Sequence, residues 1–108
     1  MEEHIVVRSL AALAQTHRLR VFRRLVVAGQ DGMTPGALAQ ALELPAATLS
    51  FHLKELSHAG LAIPERAGRN VVYRAAFDRM NELLAYLTEN CCQGAACSVA
   101  GAASACAC

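Results

Sequence analysis

Thr34–Gly60, TPGALAQALELPAATLSFHLKELSHAG, decides how the rest of this 108-residue chain is read. The stretch predicts two short helices joined by a tight turn. Thr34 is a good N-cap, and Pro35 suits the first helical position, where its missing N–H costs nothing. The first helix is therefore expected from about Pro35 to Ala41. The second is expected to begin at Pro45 and end at Gly60, a residue typical of the position just past a helix end. At about 100° per residue, Leu49, Leu53 and Leu56 share one narrow stripe of this second helix, with Ala46 and Gly60 beside it. Thr48, Phe51, Lys54, Glu55 and His58 lie opposite, Ala47 sits near the start, and Ser50 and His52 are on the flanks. A core-packing surface helix turns a strongly charged back to water. This back is mixed, modest in charge and carries an exposed Phe. It suits a DNA major groove, where side chains must donate, accept and touch methyl groups. Taken alone, the stretch fits equally well an ordinary helical hairpin in a small all-α domain.

The flanking sequence separates these readings. Upstream, Ile5, Val6, Leu10, Leu13 and Ala14 recur at helical spacing, predicting a helix over residues 4–15. Thr16 is placed to cap a second helix, His17–Ala28, stopped by Gly29, with Leu19, Phe22, Leu25 and Val26 inward and Arg20, Arg23 and Arg24 outward. Gln30–Met33 reads as a polar loop. Downstream of Gly60 the period changes from helix to strand. Leu61–Arg66 and Val71–Ala75 flank Ala67-Gly68-Arg69-Asn70, the pattern of a β-hairpin. Pro64 limits the first strand to an edge or irregular position. Arg66, Arg69 and Arg74 make the hairpin basic, and a basic hairpin directly after a helix pair is a wing, with Arg69 at its tip against the DNA backbone or in a minor groove. Phe77 to about Asn90 is the last helix, with Met80, Leu83, Leu84 and Leu87 on a broad apolar face. Two apolar terminal helices exceed what one small core needs, so a two-fold dimer interface is expected there.

Composition sets the bounds. The length suits one domain. Net charge is only +1, but Thr16–Arg74 holds eight basic residues against four acids, a local +4. No apolar run approaches a membrane span, and the start, MEEHIVVRSL, is not a secretory signal, so a cytoplasmic location is expected. No acid–base pair, phosphate loop or nucleophile–base arrangement has a credible spacing, so no enzymatic activity is expected. A metal-buffering protein built on the Cys-rich end is the contrasting class.

All five cysteines lie at or beyond position 91: Cys91, Cys92, Cys97, Cys106 and Cys108. In a reducing compartment such clustering points to ligand or redox chemistry rather than to a disulfide framework. Cys91, Cys92 and Cys97 fall within seven residues, with Gly94 between them to let the chain turn back. Three thiolates suit a soft, pyramidal trivalent arsenic or antimony centre, whereas zinc wants a fourth ligand, available from Cys106 or Cys108. At a helix C-terminus the dipole disfavours free thiolates, so Cys91 and Cys92 are poor low-pKa nucleophiles. A disulfide of Cys91 or Cys92 with Cys97 stays open. From Gln93 onward the chain is Ala, Gly, Ser and Cys without charge, expected to be a flexible tail.

Three segments, LAALAQTHRLRVFRRLV, MTPGALAQALELPAATLSFHLKELSHAGLA and ERAGRNVVYRA, together resemble the ArsR-type family of winged-helix, metalloid-responsive repressors over roughly residues 5–90. The run LSFHLKELSHAGL is the most specific, being similar to the family's recognition-helix pattern. The resemblance implies a homodimer that binds an inverted-repeat double-stranded DNA operator and releases it when inducer binds. The chain departs from the family in three places. Ala41-Leu42-Glu43-Leu44 stands where many members carry a C-x-C pair, Met80 follows Asp78 where others place His, and Phe51 stands where a basic residue is common. The cysteine tail is similar to the C-terminal three-cysteine arsenite site of one branch, with Cys91, Cys92 and Cys97 matching in kind and approximate place.

The expectation is thus a mainly α fold with a β-hairpin wing: a winged helix-turn-helix that dimerises through its first and last helices. Residues 1–90 form the DNA-binding and dimerisation domain, and residues 91–108 a Cys-rich metalloid-binding tail. Ala47, Thr48, Ser50, Phe51, His52 and Lys54 form the recognition face, His52 as a phosphate or packing residue, and Arg69 anchors the wing. No resident cofactor is required. The inducer is As(III), or alternatively Sb(III) or methylarsenite, bound by Cys91, Cys92 and Cys97. The alternative within the same fold is a thiol redox sensor or a repressor responsive to cadmium, zinc or lead.

Overall fold

The computed structural model of this chain describes residues 1–94. In chain order, these form α1 (Glu3–Leu13), α2 (Thr16–Ala28), a 3-10 turn (Gly29–Asp31), α3 (Pro35–Leu42) and α4 (Ala46–His58). The antiparallel strands β1 (Ala62–Ala67) and β2 (Asn70–Ala75), α5 (Phe77–Leu87) and a 3-10 turn (Cys91–Gly94) follow.

The helix starts follow local chemistry, with two shifts from expectation. The Gln15 side chain, not Thr16, caps α2, its Oε1 accepting from the Arg18 N–H at 2.9 Å. Thr16 is itself the first helical residue. Thr34 caps α3 as expected, its Oγ1 accepting from the Ala37 N–H at 3.2 Å, and Pro35 opens the helix. Pro45 precedes α4 rather than opening it, because its ψ of 146° is extended. The turn between α3 and α4 passes through Glu43 at φ 53°, a left-handed conformation usually left to Gly or Asn.

One core joins the pieces. Val21, Phe22 and Leu25 of α2 meet Leu38 of α3 and Leu49, Leu53 and Leu56 of α4, closed by Leu61, Ala62 and Ala75. Burying each of the three α4 leucines contributes about 1.5–3 kcal/mol. Leu19, expected inward, is instead exposed, while Val21 is fully buried. The inward stripe runs through positions 21, 22 and 25, and Leu19 lies about 200° from Val21.

The hairpin pairs Ala62 with Ala75 through to Ala67 with Asn70, leaving Gly68 and Arg69 as a two-residue turn. Gly68 has φ 65°, the requirement of a turn with Gly at its first central position. On the other side of β2, Met33 and Tyr73 exchange both backbone hydrogen bonds at 2.9 Å. Pro64 therefore lies on the outer edge strand, where its missing N–H breaks no ladder. The Met33 bridge depends on Gly32, at φ 64°, because a Cβ there would lie 2.5 Å from the Tyr73 carbonyl oxygen. Past the α4 end, the Arg79 guanidinium donates to the Ala59 carbonyl at 3.2 Å, ordering the corner at Gly60.

α5 stops at Leu87, three residues before the expected Asn90. The Thr88 hydroxyl donates back to the Leu84 carbonyl at 2.9 Å, and Asn90 turns the chain at φ 58°. Its apolar face is split: Leu83 is buried, whereas Leu84 and Leu87 are exposed along with Val7 and Leu10 of α1. Among the described residues no helix is long and apolar enough to cross a membrane.

Candidate nucleic-acid interface and cysteine site

α4 places its leucine stripe in the core, and this orientation leaves Ala47, Thr48, Ser50, Phe51 and Lys54 exposed on the opposite side. Phe51 is 56% exposed and is the largest apolar side chain on this face. The face offers a hydroxyl pair, an ammonium and an aromatic edge. These groups hydrogen-bond base edges, pair with phosphates and touch thymine methyls.

His52 takes the packing alternative expected of it and drops out of the exposed recognition face. Only 5% of it is exposed, so its ring packs inward rather than towards a ligand. It lies 5.8 Å, centroid to centroid, from the ring of His17 on α2 and 5.6 Å from Phe51 in an edge arrangement. Its Nδ1 is buried without a partner. Burial lowers its pKa, and the neighbouring Arg18 and His17 lower it further, so the ring is neutral at physiological pH. No sequence spacing links positions 17 and 52, and the pair arises only because α2 packs across α4.

In the wing, Arg69 is exposed at the tip beside Gly68, and Arg66 is exposed on β1. Arg74 is different from expectation. It pairs with Glu65 at 2.6 Å and donates to the Gln30 side chain at 3.1 Å, so it braces the wing base. The exposed, unpaired positive charge of the hairpin among the described residues therefore reduces to Arg66 and Arg69. Arg20, Arg23 and Arg24 project outward from α2 as expected.

Cys91 and Cys92 do not sit at the end of α5. They lie in the separate Cys91–Gly94 turn, where Cys92 and Gln93 have φ of 55° and 59°. The Cys91 N–H donates to the Thr88 carbonyl at 3.0 Å, linking this turn to the end of the helix. The dipole of α5 fades within its last turn, so its hold on these sulfurs is weaker than the sequence implied. The two Sγ atoms are 3.7 Å apart and both residues are half-buried. This is an ordinary sulfur–sulfur contact, and it is also close to the roughly 3.8 Å between two thiolates that share one tetrahedral centre. Cys92 is disulfide-bonded here, and an ion-binding form requires its reduction. Cys97, Cys106, Cys108 and the expected flexible tail beyond Gly94 lie outside the described residues. Among the described residues no group of three or more His, Cys, Asp or Glu side chains is placed to hold a metal.

Comparisons with known proteins bear on the helical core. Residues 13–64 match a family described as a helix-turn-helix domain. No curated protein sequence matches the chain at a significant level. Among solved structures, an ArsR-like transcriptional regulator from Rhodococcus sp. RHA1 is 25% identical with a TM-score of 0.70, covering 78% of this chain and 76% of that one. The homodimeric winged helix-turn-helix DNA-binding domain of a possible ArsR-family transcriptional regulator from Mycobacterium bovis is 28% identical, TM-score 0.65, with 79% and 77% covered. HlyU from Vibrio cholerae N16961 is 31% identical, TM-score 0.62, with 81% of this chain and 97% of that one covered.

Proposed function

The chain belongs to the ArsR-type family of winged helix-turn-helix transcriptional regulators, and on that premise we propose that it is a homodimeric repressor released from its operator by trivalent arsenic. α4 enters the major groove with Thr48, Ser50, Phe51 and Lys54, Ala47 approaches at the helix start, and Arg69 meets the backbone beside it. Val7, Leu10, Leu84 and Leu87 are the exposed apolar residues of α1 and α5, and they form the two-fold interface. The operator is an inverted repeat, as a two-fold dimer requires. The protein works in the cytoplasm, where glutathione keeps thiols reduced, and it acts by binding rather than by making or breaking bonds.

What supports the sensing half is the placement of Cys91 and Cys92 side by side just past α5, their sulfurs 3.7 Å apart. Cys97 supplies the third thiolate. Three soft sulfurs suit As(III), and Sb(III) or methylarsenite share that preference. Binding gathers the chain after Asn90 onto the end of α5 and biases the dimer towards a form that fits the operator poorly. The inducer needs only to bind that form more tightly, and a coupling of about 2–3 kcal/mol releases the operator by roughly 30- to 150-fold.

A thiol redox repressor is the second reading, favoured by the disulfide at Cys92. The two separate in one anisotropy titration of an inverted-repeat operator, run under reducing conditions with arsenite and, separately, with diamide. The arsenic reading expects arsenite to release wild type but not Cys91→Ser. Release by diamide alone supports the redox reading. Persistence of wild-type binding at saturating arsenite sinks the sensor assignment.

A further inference from the structure

A second surface, remote in role from DNA reading and self-association, lies along the outside of α2. Arg20, Arg23, Arg24 and Val27 occupy positions i, i+3, i+4 and i+7 and so form a single outward stripe. With Leu42 at the end of α3 they line an open groove of about 280 Å³. Val27 is 81% exposed, the most exposed large hydrophobic side chain among the described residues. None of the three guanidiniums makes an ion pair among the described residues. An apolar floor ringed by uncommitted arginines is the composition of a binding hot spot rather than of a solvated back, which would alternate charge signs.

We propose that this groove docks an acidic, amphipathic helical segment of a partner protein. Its apolar residues cover Val27 and Leu42, and its Asp or Glu side chains pair with Arg20, Arg23 and Arg24. The chemistry selects this occupant. Guanidinium forks recognise carboxylates in bidentate fashion, and the Arg spacing along α2 matches acids on a second helix laid beside it. A DNA phosphate ridge satisfies the arginines but leaves the apolar floor in water. The chain from Gln93 onward carries no acidic residue, so it lacks the complement.

The test uses the full chain bound to operator DNA and a fluorescein-labelled amphipathic peptide of about 15 residues, long enough to form a helix, with Glu and Leu at helical spacing. The acidic peptide is expected to bind saturably, and a peptide with Lys in place of Glu is expected not to bind. Arg23→Gln with Arg24→Gln, and separately Val27→Asp, are expected to weaken peptide binding about tenfold or more while leaving the salt slope of operator binding unchanged. Val27 is so exposed that its substitution spares the core. Equal binding of acidic and basic peptides, or peptide binding unaffected by both variants, overturns the proposal. So does a loss of operator affinity with a shallower salt dependence, which makes the stripe a phosphate contact. A drop in oligomeric mass on Val27→Asp also overturns it, since the groove is then filled by a second copy.

Discussion

Replacing Arg69 by Ala isolates the wing's part in DNA binding. Arg69 is exposed at a two-residue turn, makes no ion pair among the described residues and adds nothing to the core. Its removal is therefore expected to leave thermal stability within about 0.5 kcal/mol of wild type. A dimer carries two wings, so the variant loses two phosphate contacts. Each neutralised phosphate adds about 0.9 to the slope of log K against log salt, so the variant's slope is expected to be shallower by about 1.8. Between 50 and 200 mM salt that difference amounts to roughly tenfold, so the deficit of Arg69→Ala at 50 mM salt shrinks about tenfold by 200 mM. The assay is operator anisotropy at four or more salt concentrations on both proteins, with a scrambled duplex in parallel. A phosphate contact weakens both duplexes together. Parallel log–log lines for variant and wild type refute the wing assignment. A loss confined to the operator refutes the backbone contact in favour of base reading.

Other outcomes follow from the same geometry. Phe51→Ala is expected to keep the salt slope and the stability of wild type but to lose about 1–3 kcal/mol of discrimination at one base pair of each half-site, measured by competition with single-substitution operators. Leu53→Ala, at a position 1% exposed, is expected to cost about 2–5 kcal/mol in urea unfolding, without change in salt slope at temperatures where it is folded. Leu87→Asp, on the exposed face of α5, is expected to shift the mass measured by light scattering from dimer to monomer and to weaken operator binding. The lowered pKa of His52 makes the unfolded chain the better proton acceptor. Its contribution to stability is thus present above pH 6.5 and is lost as pH falls through 6.5 towards the folded value. Urea midpoints at pH 7.5 and 5 are expected to differ more in wild type than in His52→Gln.

The order of elements was legible because each boundary carries its own local chemistry. Thr34-Pro35, Gly29 and the Gly68-Arg69 tip hold their signals within a few residues, and the structure uses all of them. The leucine stripe of α4 was equally legible, since its period survives any tertiary context. What escaped reading depends on contacts between distant positions. The Leu19 and Val21 faces of α2 differ by two residues in an apolar run, and only the approach of α4 selects between them. His52 looked like a flank residue until α2 brought His17 and Arg18 against it. Arg74 resembles Arg69 in sequence, but the loop at Gln30 and the neighbouring Glu65 bind it to the wing base. The end of α5 moved because Thr88 turns its hydroxyl back on the helix, a choice that propensity alone does not reveal. That shift carries the cysteines off the helix end, where its dipole bears on them less.

The Met33–Tyr73 bridge has a bearing on regulation. It fastens the segment that leads into α3 to the inner strand of the wing, and Gly32 is the residue that lets the two backbones touch. The entry of the helix pair and the wing are thereby joined into one reading head. In the proposed dimer, a signal at α1 and α5 then moves this head as a unit. The quantity under control is then the separation of two heads, which must match about one helical turn of DNA, 34–36 Å, for both to seat. Induction acts in this scheme as a change of gauge: each head keeps its grip on a half-site, and the pair no longer spans two at once.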